Sequence, residues 1–145
     1  MYRHILIPTD GSELSGKAIQ HGVTLAKSVG AKISGITVTV PFHVFAIDPD
    51  TLTDTPASYQ TRVASAATKY LEQIKNVAAA VGITCDAISV EHEHPYRAII
   101  DTAKESGCDL IVMASHGRRG ISALVLGSET VKVLTHSTIP VLVCR

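Results

Sequence analysis

Along this chain, short apolar runs alternate with longer stretches whose apolar residues recur every three or four positions. The first pattern belongs to buried strands and the second to helices packed by one face. HILIP (4–8) reads as a strand stopped by Pro8. A helix is predicted from about Ser12 to Val29, with Leu14, Ala18, Leu25 and Val29 on one face, Ser12 as its N-cap and Gly30 as its stop. KISGITVTV (32–40) is rich in β-branched residues and reads as the second strand. A second helix is expected over 58–81, carrying Val63, Ala67, Tyr70, Ile74, Val77 and Val81 on one stripe and ended by Gly82. TCDAISVEH (84–92), DLIVMAS (109–115) and IPVLVC (139–144) read as the remaining strands. A short helix over Pro95–Glu105 has Pro95 suitably placed in its first turn, and another helix is expected over Ser128–His136.

Strand followed by helix, repeated, predicts an α/β fold: an open parallel sheet with helices on both faces and right-handed crossovers. The 145 residues suit one domain, 1–145. A hydrophobic content of 46% against 18% charged residues belongs to a globular chain with a core. Thirteen basic and thirteen acidic residues cancel, so a broad nucleic-acid-binding surface is not expected. Cys85, Cys108 and Cys144 are odd in number and form no C-x-x-C pair. Buried thiols in a reducing cytoplasm fit them better than a disulfide framework or a zinc site. MYRHILIPTD turns polar too soon for a signal peptide, and no run approaches the roughly 18 apolar residues of a membrane span. One connection is long, PFHVFAIDPDTLTDTPA (41–57), and holds both phenylalanines, Phe42 and Phe45. Connections of that length are commonly functional, and this one is a candidate lid.

In open α/β sheets, ligands bind beyond the carboxyl ends of the strands, where strand order reverses. Two predicted strand ends carry unusual residues: Pro8-Thr9-Asp10-Gly11, and the stretch ASHGRRGISALVLGS (114–128). A phosphate needs several inward N–H donors and a close backbone approach. Gly117 and Gly120 allow that approach, because glycine lacks Cβ and tolerates positive φ. Gly127-Ser128 opens a helix whose free amides and dipole favour an anion. Arg118 and Arg119 either supply charge or face water. Each feature alone also fits a tight turn or a helix cap; together they point to an anion site. G-x-x-x-x-G-K-[ST] is absent, and so is G-x-G-x-x-G after the first strand, so neither a Walker-type site nor a dinucleotide oxidoreductase is expected. No G-x-S-x-G elbow of an acyl hydrolase occurs either.

The same stretch resembles the nucleotide-binding signature of the universal stress protein family: Gly, two residues, Gly, nine residues, then Gly followed by Ser or Thr. Gly117 fills the second glycine, Arg118 to Leu126 the spacer, and Gly127-Ser128 the end, while Ala114 stands at the first glycine. The resemblance covers nearly the whole chain, since ILIPTDGSELSGKA, DLIVMASHGRRG and HSTIPVLVCR match the family's first, fourth and last strands in order and spacing. It implies a sheet ordered 3-2-1-4-5 with ATP, alone or with Mg²⁺, between strands 1 and 4. By that resemblance Asp10 meets the ribose or adenine end beside Pro8 and Thr9, and Val38 meets the adenine through its backbone. Met113, Ala114, His116 and Gly117 line the ribose and phosphates, and Gly127, Ser128, Glu129 and Thr130 hold the phosphate tail. Glu129 is charged where the family is often uncharged. A carboxylate there repels phosphate unless Mg²⁺ intervenes, or else it serves the helix dipole and points away.

Other residues carry two readings each. Asp10 as a catalytic base has no clearly paired acid or base, which favours a binding role. His92 and His94 in EHEHP alternate at strand spacing as metal ligands would, but no third ligand is visible and a strand end running into solvent is the plainer reading. His116 either contacts phosphate or caps a turn, and its type titrates near neutrality. Tyr59 to Tyr70 form an interaction face or, more simply, the packed side of a helix. IPVLVC is apolar at nearly every position and would invite another chain if it is a sheet edge. A homodimer through 139–144 is therefore predicted, as the resemblance also implies. The expected function is that of a cytoplasmic, ATP-binding, homodimeric regulator or sensor in the stress response, read by a protein partner the sequence does not name. Two alternatives stay open: a slow Mg²⁺-dependent ATP hydrolase, because phosphoryl transfer needs mainly positioning and charge stabilisation, and a nucleotide-free dimeric scaffold.

Overall fold

The computed structural model describes residues 1–45, 55–118 and 125–145. Its elements are β1 (His4–Pro8), α1 (Glu13–Val29), β2 (Lys32–Thr39), α2 (Phe42–Phe45), α3 (Pro56–Ala80), β3 (Cys85–Glu91), α4 (Pro95–Glu105), β4 (Leu110–Ala114), α5 (Ser128–His136) and β5 (Val141–Cys144). The five strands form one parallel sheet ordered β3-β2-β1-β4-β5, the order that the resemblance implies. Successive strand residues point to opposite faces, so β1 divides its side chains between two cores. Ile5 and Ile7 join α1 and α3 on one side, and Leu6 joins α4 and α5 on the other. Among the described residues, no helix is long and apolar enough to cross a membrane.

The helix ends follow the local chemistry. The Ser12 hydroxyl accepts the Ser15 amide at 3.1 Å, and Gly30 closes α1 in the left-handed region at φ 72°. Thr55 caps α3 in the same way, just ahead of Pro56. One element was not anticipated. The single turn α2 lies inside the connection read as a loop, with the rings of Phe42 and Phe45 packed 5.4 and 4.4 Å from that of Tyr59. His43 pairs there with Glu93 at 2.6 Å. Of the candidate lid 41–57, residues 46–54 lie outside the described residues.

The packed faces of the two long helices include the predicted Ala18, Ala67 and Ile74 but are centred on a different line of residues. In α1 the buried residues are Ser15, Ala18, Ile19, Gly22, Val23 and Ala26, whereas Leu14 and Leu25 are half-buried and Val29 is exposed. The helix lies so close to β1 that a Cβ on Gly22 would stand 2.5 Å from Ile7 Cδ1, so mainly small residues fit the contact line. In α3 the deepest positions are Tyr59, Ala67, Leu71, Ile74 and Ala78, while Tyr70 and Val77 flank them. Here Ile74 fills the notch left by Gly35, where a Cβ would meet its Cγ2 at 2.7 Å. Periodicity of large apolar residues locates a helix, but the narrowest approach decides which face turns inward.

The two sheet edges differ. β3 exposes Asp86, Ser89 and Glu91, charges and a hydroxyl that discourage further pairing. β5 exposes Leu142 at 42%, between half-buried Val141 and Val143. The Pro140 and Cys144 carbonyls accept the Ile111 and Ser115 amides at 3.0 and 2.8 Å. Ladder alternation therefore turns the main-chain groups of Val141 and Val143 outward. All three cysteines are free thiols. Burial pushes the Cys108 thiol up to about 11, with a smaller push from Asp109, so it stays protonated and unreactive at neutral pH.

Candidate functional site

The strands leave a crevice where their order reverses. β1 and β4 are paired only at Ile5↔Leu110 and Leu6↔Ile111. Beyond that point β1 runs to Pro8 alongside β2 alone, and β4 runs to Ala114 alongside β5 alone. The last β2 carbonyl taken up from the β1 side is that of Ile36, which accepts the Thr9 amide at 2.8 Å. Val38, two residues on, turns the same strand edge toward the gap.

On the β1 side the turn Thr9–Ser12 is a closed polar network. The Thr9 hydroxyl is buried, accepts the Gly11 amide at 3.2 Å and lies 3.2 Å from the Ser15 hydroxyl. Asp10 Oδ1 accepts the Ser12 amide at 3.0 Å, and Oδ2 accepts the Arg118 amide at 3.0 Å from the opposite turn. Burial by itself raises the Asp10 pKa, but hydrogen bonds from Ser12, Arg118 and Ser15 outweigh it and hold the carboxyl below its usual range. Because folding lowers this pKa, the stabilisation is present at neutral pH and is lost as pH falls through the lowered value.

Gly117 is required by this carboxylate. A Cβ there would stand 2.5 Å from Asp10 Oδ2, and its backbone is not in the positive-φ region that the sequence reading allowed for. Gly127 answers the same demand, since a Cβ would come within 2.9 Å of His116 Cα. Its amide donates to the Ser115 carbonyl at 2.7 Å, and the Thr130 hydroxyl donates to the Ala114 carbonyl at 2.9 Å. These two bonds fasten the start of α5 to the end of β4. The helix has no side-chain cap, and the amides of Ser128, Glu129 and Thr130 have no partner among the described residues. They form an open, positively polarised end.

The remaining predicted residues are distributed as follows. Met113 packs into the α4–α5 core, and the Ala114 methyl packs into the α1 core, so the substitution at the first glycine is absorbed by apolar packing. His116 Nδ1 lies 3.2 Å from the Ser115 hydroxyl. Glu129 Oε2 accepts the Tyr96 amide at 2.8 Å and Oε1 meets Lys132 at 3.3 Å. That carboxylate therefore supports the start of α4, which lacks a side-chain cap of its own. His92 Nδ1 accepts the His94 amide at 2.8 Å, and no group of three or more metal-ligating side chains occurs among the described residues. Arg119 and Gly120 lie outside the described residues. Beside the crevice, a cavity of about 420 Å³ opens between the first turn of α1 and the 115–118 turn. It shares His116 and Gly117 with the predicted site and adds Lys17, Arg118 and Arg145. Arg118 stands in the sequence as a candidate source of charge, but its bond to Asp10 is not legible there, because the two are 108 positions apart. The pairing of an arginine with a carboxylate near two predicted strand ends was the only available hint.

A sequence profile of the universal stress protein family matches residues 1–145. Universal stress protein YxiE of Bacillus subtilis is 34% identical over 152 aligned residues, covering 100% of both chains. Among solved structures, protein MJ0577 of Methanocaldococcus jannaschii aligns with a TM-score of 0.82 at 28% identity, over 99% of this chain and 96% of that one. A universal stress protein solved in complex with cAMP aligns with a TM-score of 0.73 at 25% identity, over 99% of this chain and 97% of its own.

Proposed function

Because the chain belongs to the universal stress protein family, we propose that it is a single-domain, ATP-binding regulator that works as a cytoplasmic homodimer in the stress response. One observation carries the nucleotide reading: an uncapped α5 start with three open amides, those of Ser128, Glu129 and Thr130, borders a crevice whose other wall presents the ionised Asp10 carboxylate. Amides at a helix start suit phosphate, and a carboxylate suits hydroxyl and amino donors of a nucleoside. The structural relative solved with cAMP supports the same class of ligand. In this reading Pro8, Thr9, Asp10 and the Val38 backbone take the nucleoside, and Met113, Ala114, His116 and Gly117 line the middle. Gly127, Ser128 and Thr130 take the phosphates, with Glu129 turned to α4. Mg²⁺, where ATP carries it, would be held by the phosphates. Native mass spectrometry of freshly purified protein, followed by calorimetric titration with ATP, ADP, AMP and cAMP, is expected to find an adenine nucleotide bound. Absence of co-purified nucleotide together with no heat at millimolar ligand would sink the reading.

Binding rather than hydrolysis is favoured by the same carboxylate. A group held below its ordinary pKa is a weak general base near neutrality. Among the described residues, no histidine or second carboxylate is hydrogen-bonded to it. The output is then conformational, with nucleotide occupancy biasing a surface read by a protein partner.

The dimer is proposed along β5, whose outward main-chain groups and exposed Leu142 contrast with the charged β3 edge. Val141 packs partly into the α4–α5 core, so lysine there would also disturb the fold. Leu142→Lys with Val143→Lys is the cleaner pair and is expected to convert dimer to monomer by light scattering. A dimer that persists in this variant would exclude the β5 interface.

A further inference from the structure

Asp10 is held from across the crevice by more than one bond. Besides the Arg118 amide on its carboxylate at 3.0 Å, Arg118 Nε donates to the Asp10 main-chain carbonyl at 2.9 Å. The guanidinium carbon of Arg118 then lies 5.1 Å from the ring centroid of Tyr70, on α3. The same ring occupies the space that Gly11 leaves empty, where a Cβ would lie only 2.1 Å from Tyr70 Cε1. Gly11 is also at φ +76°, which few other residues adopt. One aromatic side chain therefore backs both turns that border the crevice. Nearer the start of α3, the Tyr59 hydroxyl donates to the Val40 carbonyl just past β2, so the helix braces three of the segments around the gap.

We infer that Arg118 is a positioning residue: it clasps the turn after β4 to the turn after β1 against Tyr70, and so aims the Asp10 carboxylate into the crevice. This rests on the nucleotide reading of the same site. A guanidinium whose Nε is committed to a main-chain carbonyl and which sits over a tyrosine ring has little freedom to follow a phosphate tail. It acts at the nucleoside end, through Asp10, and leaves the phosphates to the start of α5.

Arg118→Ala separates the two roles. Calorimetric titration with adenosine, AMP and ATP is expected to show the same loss, about tenfold, for all three ligands, which is the scale of one lost hydrogen bond. A loss that grows with the number of phosphates would make Arg118 a phosphate ligand and overturn the inference. A gain in affinity would mean that the clasp obstructs the site and would overturn it as well. Tyr70→Leu is expected to reproduce the loss, with Tyr70→Phe close to the parent protein because it keeps the ring. The double variant R118A/Y70L is expected to be no worse than the worse single change, since both break one assembly; additive losses would argue against a clasp. Without ligand, exchange of the residue 118 amide is expected to quicken by about tenfold in R118A at unchanged global stability. Unaltered exchange would sink the clasp. Should Tyr70→Leu fail to fold, Arg118→Ala carries the test, because its side chain is exposed. If the parent protein binds none of the three ligands, the nucleotide reading fails, and the exchange measurement still decides the clasp.

Discussion

Gly117→Val is expected to weaken adenine-nucleotide binding by about 100-fold while leaving the fold intact. The new Cβ would stand 2.5 Å from Asp10 Oδ2, inside any permissible contact, and the branched methyls extend the collision. Asp10 must swing away, and it then loses the Arg118 and Ser12 amides that fix it. Hydrogen bonds to a charged group contribute roughly 1.5–3 kcal/mol each, and each 1.4 kcal/mol or so is a tenfold change in affinity. The displaced carboxylate no longer meets the nucleoside, and losing about two such bonds to the ligand, partly recovered through water, reaches about 100-fold. The obstacle is thus the protein's own carboxylate rather than the phosphate itself. The hydrogen bonds from the Arg118 and Ser12 amides also stabilise the folded chain, so the thermal midpoint should fall by several degrees even though Gly117 itself is exposed. Calorimetric titration with ATP checks the first expectation and circular dichroism melting the second. Unchanged affinity would remove both Gly117 and Asp10 from the site.

Ile74→Ala is expected to produce the largest loss of stability, about 2–5 kcal/mol, read from urea midpoints at constant m-value. Ile74 is fully buried on α3, and its Cγ2 and Cδ1 occupy the notch above Gly35. No side chain stands at Gly35 to fill the space, so the cavity persists and the cost falls toward the upper end of that range. The pair also makes a signed prediction of coupling. Gly35→Ala alone overpacks the same notch, with its methyl 2.7 Å from Ile74 Cγ2, and is expected to cost about 1–3 kcal/mol. Combined with Ile74→Ala, that methyl enters vacated space. The double variant should therefore be more stable than the sum of the two losses predicts. Strict additivity would show that helix and sheet do not interlock at this point.

Element type and order follow from local pattern alone. β1, α4 and α5 run over the residues that pattern marks, because Pro8, Pro95 and the Gly-Ser pair at 127–128 act on the backbone within a residue or two of themselves. Which face of a helix is buried does not follow so simply. Leu14 and Leu25 are large and correctly spaced, yet the sheet is reached through Ala18, Gly22 and Ala26. The interaxial approach depends on residues of a different strand. The same holds for Glu129, whose position in the chain suggests phosphates but whose carboxylate supports the amide of Tyr96. α2 was hidden because a single turn leaves no periodicity to detect, and its aromatic rings found their partner on α3.

Taken by itself, the chain determined the alternating α/β architecture, the family and the two strand ends where an anion could be received, since periodicity, caps and glycine spacing are local properties. Tertiary structure alone decided how those strand ends meet. The link between Asp10 and Arg118, the ring of Tyr70 behind them and the intolerance of Gly117 and Gly127 to a Cβ all arise between segments far apart in sequence. Contact between such segments depends on how closely packed layers approach, and no run of residues encodes that distance.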